Sequence, residues 1–301
     1  MKTITEREDK INAFYEILQK STDLTDNLDE LARFLQEFTG ATGVYIGKLI
    51  KPMREIGDED DDKAHIDEEN PKVIQFLTAS KGHEHMVGQL LRSDQGISHE
   101  VFREPSVANE EEAPENEEEG QEAQAKDEDI LKSFRHIYVK EVVREPKMHF
   151  YKVPRLGAFM AIPLVYNSCL FEDALDNAVQ DYITVQKEKE ELQKEMLEYE
   201  EEQNRVREER EKSGEPYEPE PKEWPVIEEK PFDTVEEQYV ICIDTLGQDR
   251  DLDDEQRRFA LETVKNYKRI WEETEFENLT RDRNRKLEIM ELDKEFLDTE
   301  S

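Results

Sequence analysis

Few residues in this chain have the type and spacing that chemistry demands. The two cysteines, Cys169 and Cys242, show no paired spacing. A reactive thiolate, or a thiol that anchors a chromophore, needs a neighbouring base or cation, and neither has one in sequence. Cys242 lies inside an apolar run and reads as a small hydrophobe. His83–Glu84–His85 would set two imidazoles on one face of a strand, but zinc needs further ligands and none follows locally. Asp249, Asp251 and Asp253 imitate the opening of a calcium loop. That loop requires Gly at its sixth position and Glu at its twelfth, where this chain has Asp254 and Ala260. There is no glycine-rich phosphate loop, no Gly-x-Ser-x-Gly elbow and no metalloprotease helix. The expectation is a non-enzyme with no catalytic residue, no metal site and no cofactor.

Composition narrows the partners. The 301 residues carry 39% charged and 35% hydrophobic side chains, with a net charge of −36, against about 25% charged in an average globular chain. So polar a chain cannot pack all its length into one core. Its charge repels phosphate backbones and anionic lipid surfaces, so the expectation is no nucleic acid and no membrane, with protein surfaces as partners. Two cysteines without pairing fit a reduced, cytoplasmic compartment. Residues 1–20 are charged and amphipathic, unlike a signal sequence, and no apolar window is long enough to span a bilayer.

The elements alternate in period. Ile11, Phe14, Tyr15 and Leu18 mark a first helix. Leu28, Leu31, Ala32, Leu35 and Phe38 mark a second, with Asp26 or Asn27 as its expected cap and Gly40 at its end. Residues 43–49, 73–77, 134–139 and 239–243 read as strands. Residues 158–165 read as a central strand broken by Pro163. Residues 82–101 are ambiguous, with a short helical stretch around Val101 and Phe102. Residues 109–129 lose every large apolar side chain and read as disordered. Residues 175–212 read as one long charged helix on which Leu175, Val179, Tyr182, Leu192, Met196, Tyr199 and Val206 approximate a heptad seam. A proline-punctuated linker, 214–231, carries Tyr217 and Trp224. A final helix, capped within Asp251 to Asp254, carries Phe259, Ala260, Val264, Tyr267 and Trp271, and Leu279, Leu287, Met290 and Phe296 continue it sparsely.

This order resembles the GAF domain. The segments most like it are Ala158–Phe159–Met160–Ala161–Ile162–Pro163–Leu164, then Val240–Ile241–Cys242–Ile243–Asp244–Thr245–Leu246–Gly247, then the helix opening at Asp253–Asp254–Glu255. The resemblance implies an α+β fold, a GAF-like antiparallel sheet flanked by helices, with long charged helical and disordered insertions. It also implies that the first two segments are partner strands whose hairpin has been opened by the intervening chain. Its expected organisation is an N-terminal helix, 1–26, a GAF-like domain, 27–273, and a C-terminal helical extension, 274–301. The domain is interrupted by an acidic disordered insertion, 104–130, and by a charged helix and proline-rich linker, 170–237.

The stretch from His136–Ile137–Tyr138–Val139 through Pro154–Arg155–Leu156–Gly157 is similar to GAF domains in proteins of motile cilia, of the radial spoke type. That likeness implies a structural protein of the axoneme. GAF domains that bind cyclic nucleotides carry a dispersed Asn-Lys, Phe and Asp-Glu signature. Asp254–Glu255 matches its end, but Arg250 stands where the Phe belongs and no Asn-Lys pair precedes it. The expected function is therefore a scaffold docking in a large assembly, with a cyclic-nucleotide sensor as the alternative. Leu192, Met196, Tyr199, Trp224, Leu287 and Phe296 are its expected partner-binding residues.

Overall fold

The computed structural model describes residues 2–20, 23–51, 71–103, 129–151, 153–214, 216 and 221–299. It divides into two compact units, residues 1–167 with 236–274 and residues 168–235 with 275–301. Helix α5 (Asp254–Thr299) contributes to both.

The first unit is built on a six-stranded sheet of β1 (Gly43–Ile50), β2 (Val73–Ala79), β3 (Leu90–Leu91), β4 (Ile137–Val139), β5 (Phe159–Ser168) and β6 (Val235–Asp244). Their order is β3-β2-β1-β6-β5-β4. β1 runs antiparallel to β2 and β6, and β4 antiparallel to β5. Where β6 meets β5, the Thr245 amide donates to the Ala158 carbonyl (3.0 Å) and the Gly247 amide to that of Leu156 (2.8 Å). Numbers fall on one strand as they climb on the other, so this pair is antiparallel too. The two segments expected to be partners are neighbours.

Both faces of the sheet are covered, which is why its central strands read as unbroken apolar runs. The period of two sorts their side chains. Val44, Ile46, Met160, Ile162, Leu164, Tyr239, Ile241 and Ile243 face a core shared with α1 (Lys2–Lys20), α2 (Leu24–Thr39) and the start of α5. Phe14 stacks on Phe34 there with ring centroids 4.1 Å apart, and the Trp271 indole donates to the Tyr166 hydroxyl (3.1 Å). Tyr45, Phe159, Ala161, Val240 and Cys242 face the opposite core with Met86, Val101 and Val142. Each large side chain removed from water there contributes about 1.5–3 kcal/mol.

Several expectations need correction. The cap of α2 is Asp23, whose carboxylate accepts from the amides of Thr25 (2.7 Å) and Asp26 (3.2 Å). Asp26 lies in the first turn and Asn27 is buried, so the division expected at residue 26 falls inside the helix. The ambiguous stretch resolves into 3-10 turns at Glu84–Met86 and Ser98–Phe102 around the short β3. Pro163 does not break β5. Odd residues of β5 turn their amides toward β4, whose last pair is Ile137↔Ala161, so the donor that Pro163 lacks faces a ladder that has already ended. Of the acidic insertion expected at 104–130, residues 104–128 lie outside the described residues, as do 58–62 and Tyr217. Its end is ordered: Asp129 caps α3 (Ile130–Ser133) and pairs with Arg258 at 2.6 Å, and Ile130 packs on the first core.

The second unit contains α4 (Ala174–Ser213), a single helix of 40 residues ending at Gly214, the extended segment 221–234, and α5 from Glu275 onward. Leu279 packs with Ala178 and Cys169 in its small core, with Leu175 and Phe232 against them. Of the C-terminal extension expected at 274–301, residues 274–299 are the unbroken continuation of α5.

Candidate functional site

In the first unit, β6 ends on Asp244 and β1 begins on Gly43, which are paired in register. Beside them opens a cleft of about 300 Å³. A Cβ on Gly43 would stand 3.0 Å from the His83 imidazole and 3.2 Å from Asp244 Oδ2. Its absence is what lets both side chains close on this end of the sheet. Burial pushes the Asp244 carboxyl above its ordinary range, opposed by the Leu246 amide, which donates to it at 3.0 Å, and by His83. The buried Tyr45 hydroxyl donates to Asp244, and burial with that carboxylate beside it raises the phenol well above its usual value.

The opposite wall comes from the chain before β5, where Tyr151 sets its ring edge against His149 (4.6 Å) and Phe76 (6.0 Å). Three polar atoms of the lining, Thr42 Oγ1, His83 Nδ1 and Tyr151 Oη, are buried without a hydrogen-bond partner among the described residues. An unpaired buried polar group costs about 1–3 kcal/mol, and these three gather on one cleft. Cys242, on the same face of the sheet, is fully buried and its thiol is pushed up to about 12. Burial holds the Cys169 thiol near 11.

The residues matched to the nucleotide signature do not line this cleft. Arg250 donates to the carbonyls of Thr39 (3.2 Å) and Gly40 at the end of α2, a cation placed where the helix dipole favours one. Asp254 pairs with Arg257 at 2.5 Å in the first turn of α5. His83 caps and His85 lies within the 3-10 turn Glu84–Met86, with ring centroids 5.9 Å apart. Among the described residues, no three His, Cys, Asp or Glu side chains gather as a metal would require. Sequence reasoning found His83 but missed Tyr45, Tyr151 and Asp244 as members of a cleft. A carboxylate closing a run of apolar residues was the one local signal.

The expected partner-binding residues lie in the second unit. Half-buried positions on α4 recur at Lys189, Leu192, Met196, Tyr199, Gln203 and Val206, alternating steps of three and four. Tyr199 and Trp224 come together edge to face at 5.8 Å, and the Lys222 ammonium lies 3.8 Å over the indole. The extended segment thus runs back along α4, pinned further by Lys230 to Asp181 (2.7 Å) and by Phe232 against Phe276 (5.0 Å). Arg283 lies over Tyr182 at 4.9 Å. Leu287 is half-buried and Phe296 exposed on α5. No described helix is long and apolar enough to cross a membrane.

Comparison with known proteins leaves the family open. No protein-family model matches the chain, and no curated protein matches it. Among solved structures, the GAF domain of a phosphoenolpyruvate-protein phosphotransferase from Acinetobacter is similar over 88% of this chain and 92% of that one, at 7% identity and a TM-score of 0.42.

Proposed function

We propose that this protein is a non-catalytic scaffold, a GAF-like domain that docks in a protein assembly through its second unit. The observation that carries the reading is where large apolar side chains remain exposed. Among the described residues, nine of the fifteen lie in the second unit, among them Leu197, Val226, Phe276, Ile289 and Leu292, although that unit holds little more than a third of those residues. Single exposed apolar residues are ordinary, but a cluster of them marks an interaction surface. A net charge of −36 suits partners with basic surfaces. The radial spokes of the ciliary axoneme are the proposed setting, on the strength of the sequence resemblance alone.

The test is a full-length chain carrying Leu192→Ser, Met196→Ser and Tyr199→Ser. We expect its sheet unit to keep the wild-type near-ultraviolet circular dichroism while the tagged protein no longer co-sediments with axonemes. Normal incorporation of this variant defeats the scaffold reading.

A second reading, a small-ligand sensor, draws on the three unpartnered polar atoms of the cleft. A concentration-dependent rise in melting temperature with cAMP or cGMP would favour it over the scaffold.

A further inference from the structure

We propose that the last turns of α5 pair with the same segment of a second copy of this chain, antiparallel across a twofold axis. The inference rests on the reading of the second unit as a docking element and names one partner for it. On this stretch the exposed apolar side chains follow helical spacing. Ile289 is 50% and Leu292 64% exposed, three residues apart and so neighbours on one face. Arg281 and Arg285 lie on the same face one and two turns earlier, along an open groove of about 630 Å³ that also takes in Phe276 and Thr280. The Thr280 hydroxyl is buried there without a hydrogen-bond partner among the described residues.

Charge selects the occupant. In a chain of net charge −36, the run Arg281, Arg283, Arg285, Lys286 is a local basic cluster, and Glu288, Glu291 and Asp293 follow it at once. Among the described residues Arg285, Glu288 and Glu291 take part in no intramolecular ion pair. A helix that is basic in one half and acidic in the next complements itself when reversed. Centred between Lys286 and Leu287, an antiparallel pair lays each copy's Arg285 opposite the other's Glu288 and its Arg281 one residue from the other's Glu291, an isologous contact that closes on itself. In that register Leu292 of each copy falls opposite the other's Arg281 and Ile289 opposite Asn284, where the aliphatic stems of the arginines cover them. A contact this short belongs to the small, weak class of interfaces, so the dimer should depend on protein concentration and weaken with salt.

Sedimentation velocity on the full chain over a range of concentrations tests it. The native chain should shift from monomer to dimer as concentration rises. Arg281→Glu with Arg285→Glu should be monomeric, and so should Glu288→Lys with Glu291→Lys, because each sets like charges opposite. An equimolar mixture of these two variants should restore the dimer, since both halves of the mixed contact become attractive. Ile289→Ser with Leu292→Ser should be monomeric even though no charge has changed. All six substituted residues are exposed, and unchanged melting curves will show that the variants fold. A native chain that stays monomeric overturns the proposal. So does a mixture no more associated than its components, or a dimer that persists after the apolar pair is removed. If the native chain stays monomeric while the Leu192, Met196 and Tyr199 variant still leaves its assembly, the pairing is wrong and the docking reading stands.

Discussion

Asp244 is an acid placed at a cost. Because burial raises its folded pKa, the folded state holds this proton more tightly than the unfolded chain does. The stability it lends is present below the ordinary carboxylate value and is lost as pH rises through the raised one. At neutral pH the group therefore opposes folding. Asp244→Asn keeps an acceptor for the Leu246 amide, so it should raise the melting temperature at pH 7 and flatten the stability profile above the carboxylate range. Thermal melts between about pH 4 and 8 check this, and a profile parallel to wild type counts against it. Gly157 offers a second test. Its φ is +142°, and an added Cβ would stand 2.5 Å from the Thr245 carbonyl oxygen, a backbone atom that cannot swing away. Gly157→Ala should cost about 3 kcal/mol or more, because strain and a clash act together. Chemical denaturation measures it. Neither role was legible in sequence, since each depends on which distant residue the sheet brings alongside.

Among elements, the start of α5 was the most legible. Asp253 accepts from the Gln256 amide at 2.8 Å, and the Gln256 side chain accepts from the Asp253 amide at 3.1 Å. This reciprocal box is written into residues three apart. Asp253→Ala should destabilise the first unit by about 1 kcal/mol, seen as a lower denaturation midpoint with an unchanged slope. The strands at the centre of the sheet were legible because burial on both faces leaves a continuous apolar signature. The cap of α2 was missed because three acids precede or enter the helix, and only geometry says which carboxylate meets the free amides. Pro163 misled for the same kind of reason. A missing donor matters only if a partner strand is there to need it, and that is information from across the sheet.

At the scale of the whole molecule, the long helix α4 was readable from its charge and its seam. The return of the extended segment along it was not. The contacts of Trp224 with Tyr199 and of Lys230 with Asp181 join residues with no shared pattern. The sheet's borders carry a last consequence. One border is β3, two residues long, and the other is β4, three residues long. Beyond β4, the outer side of β5 presents Pro163. A sheet grows into aggregates by recruiting extended chains along an open rim of donors and acceptors. Here one rim is too short to template an added strand, and the other opens on a residue with no donor to offer. So bordered, the chain keeps a strongly apolar sheet without its strands seeding fibres.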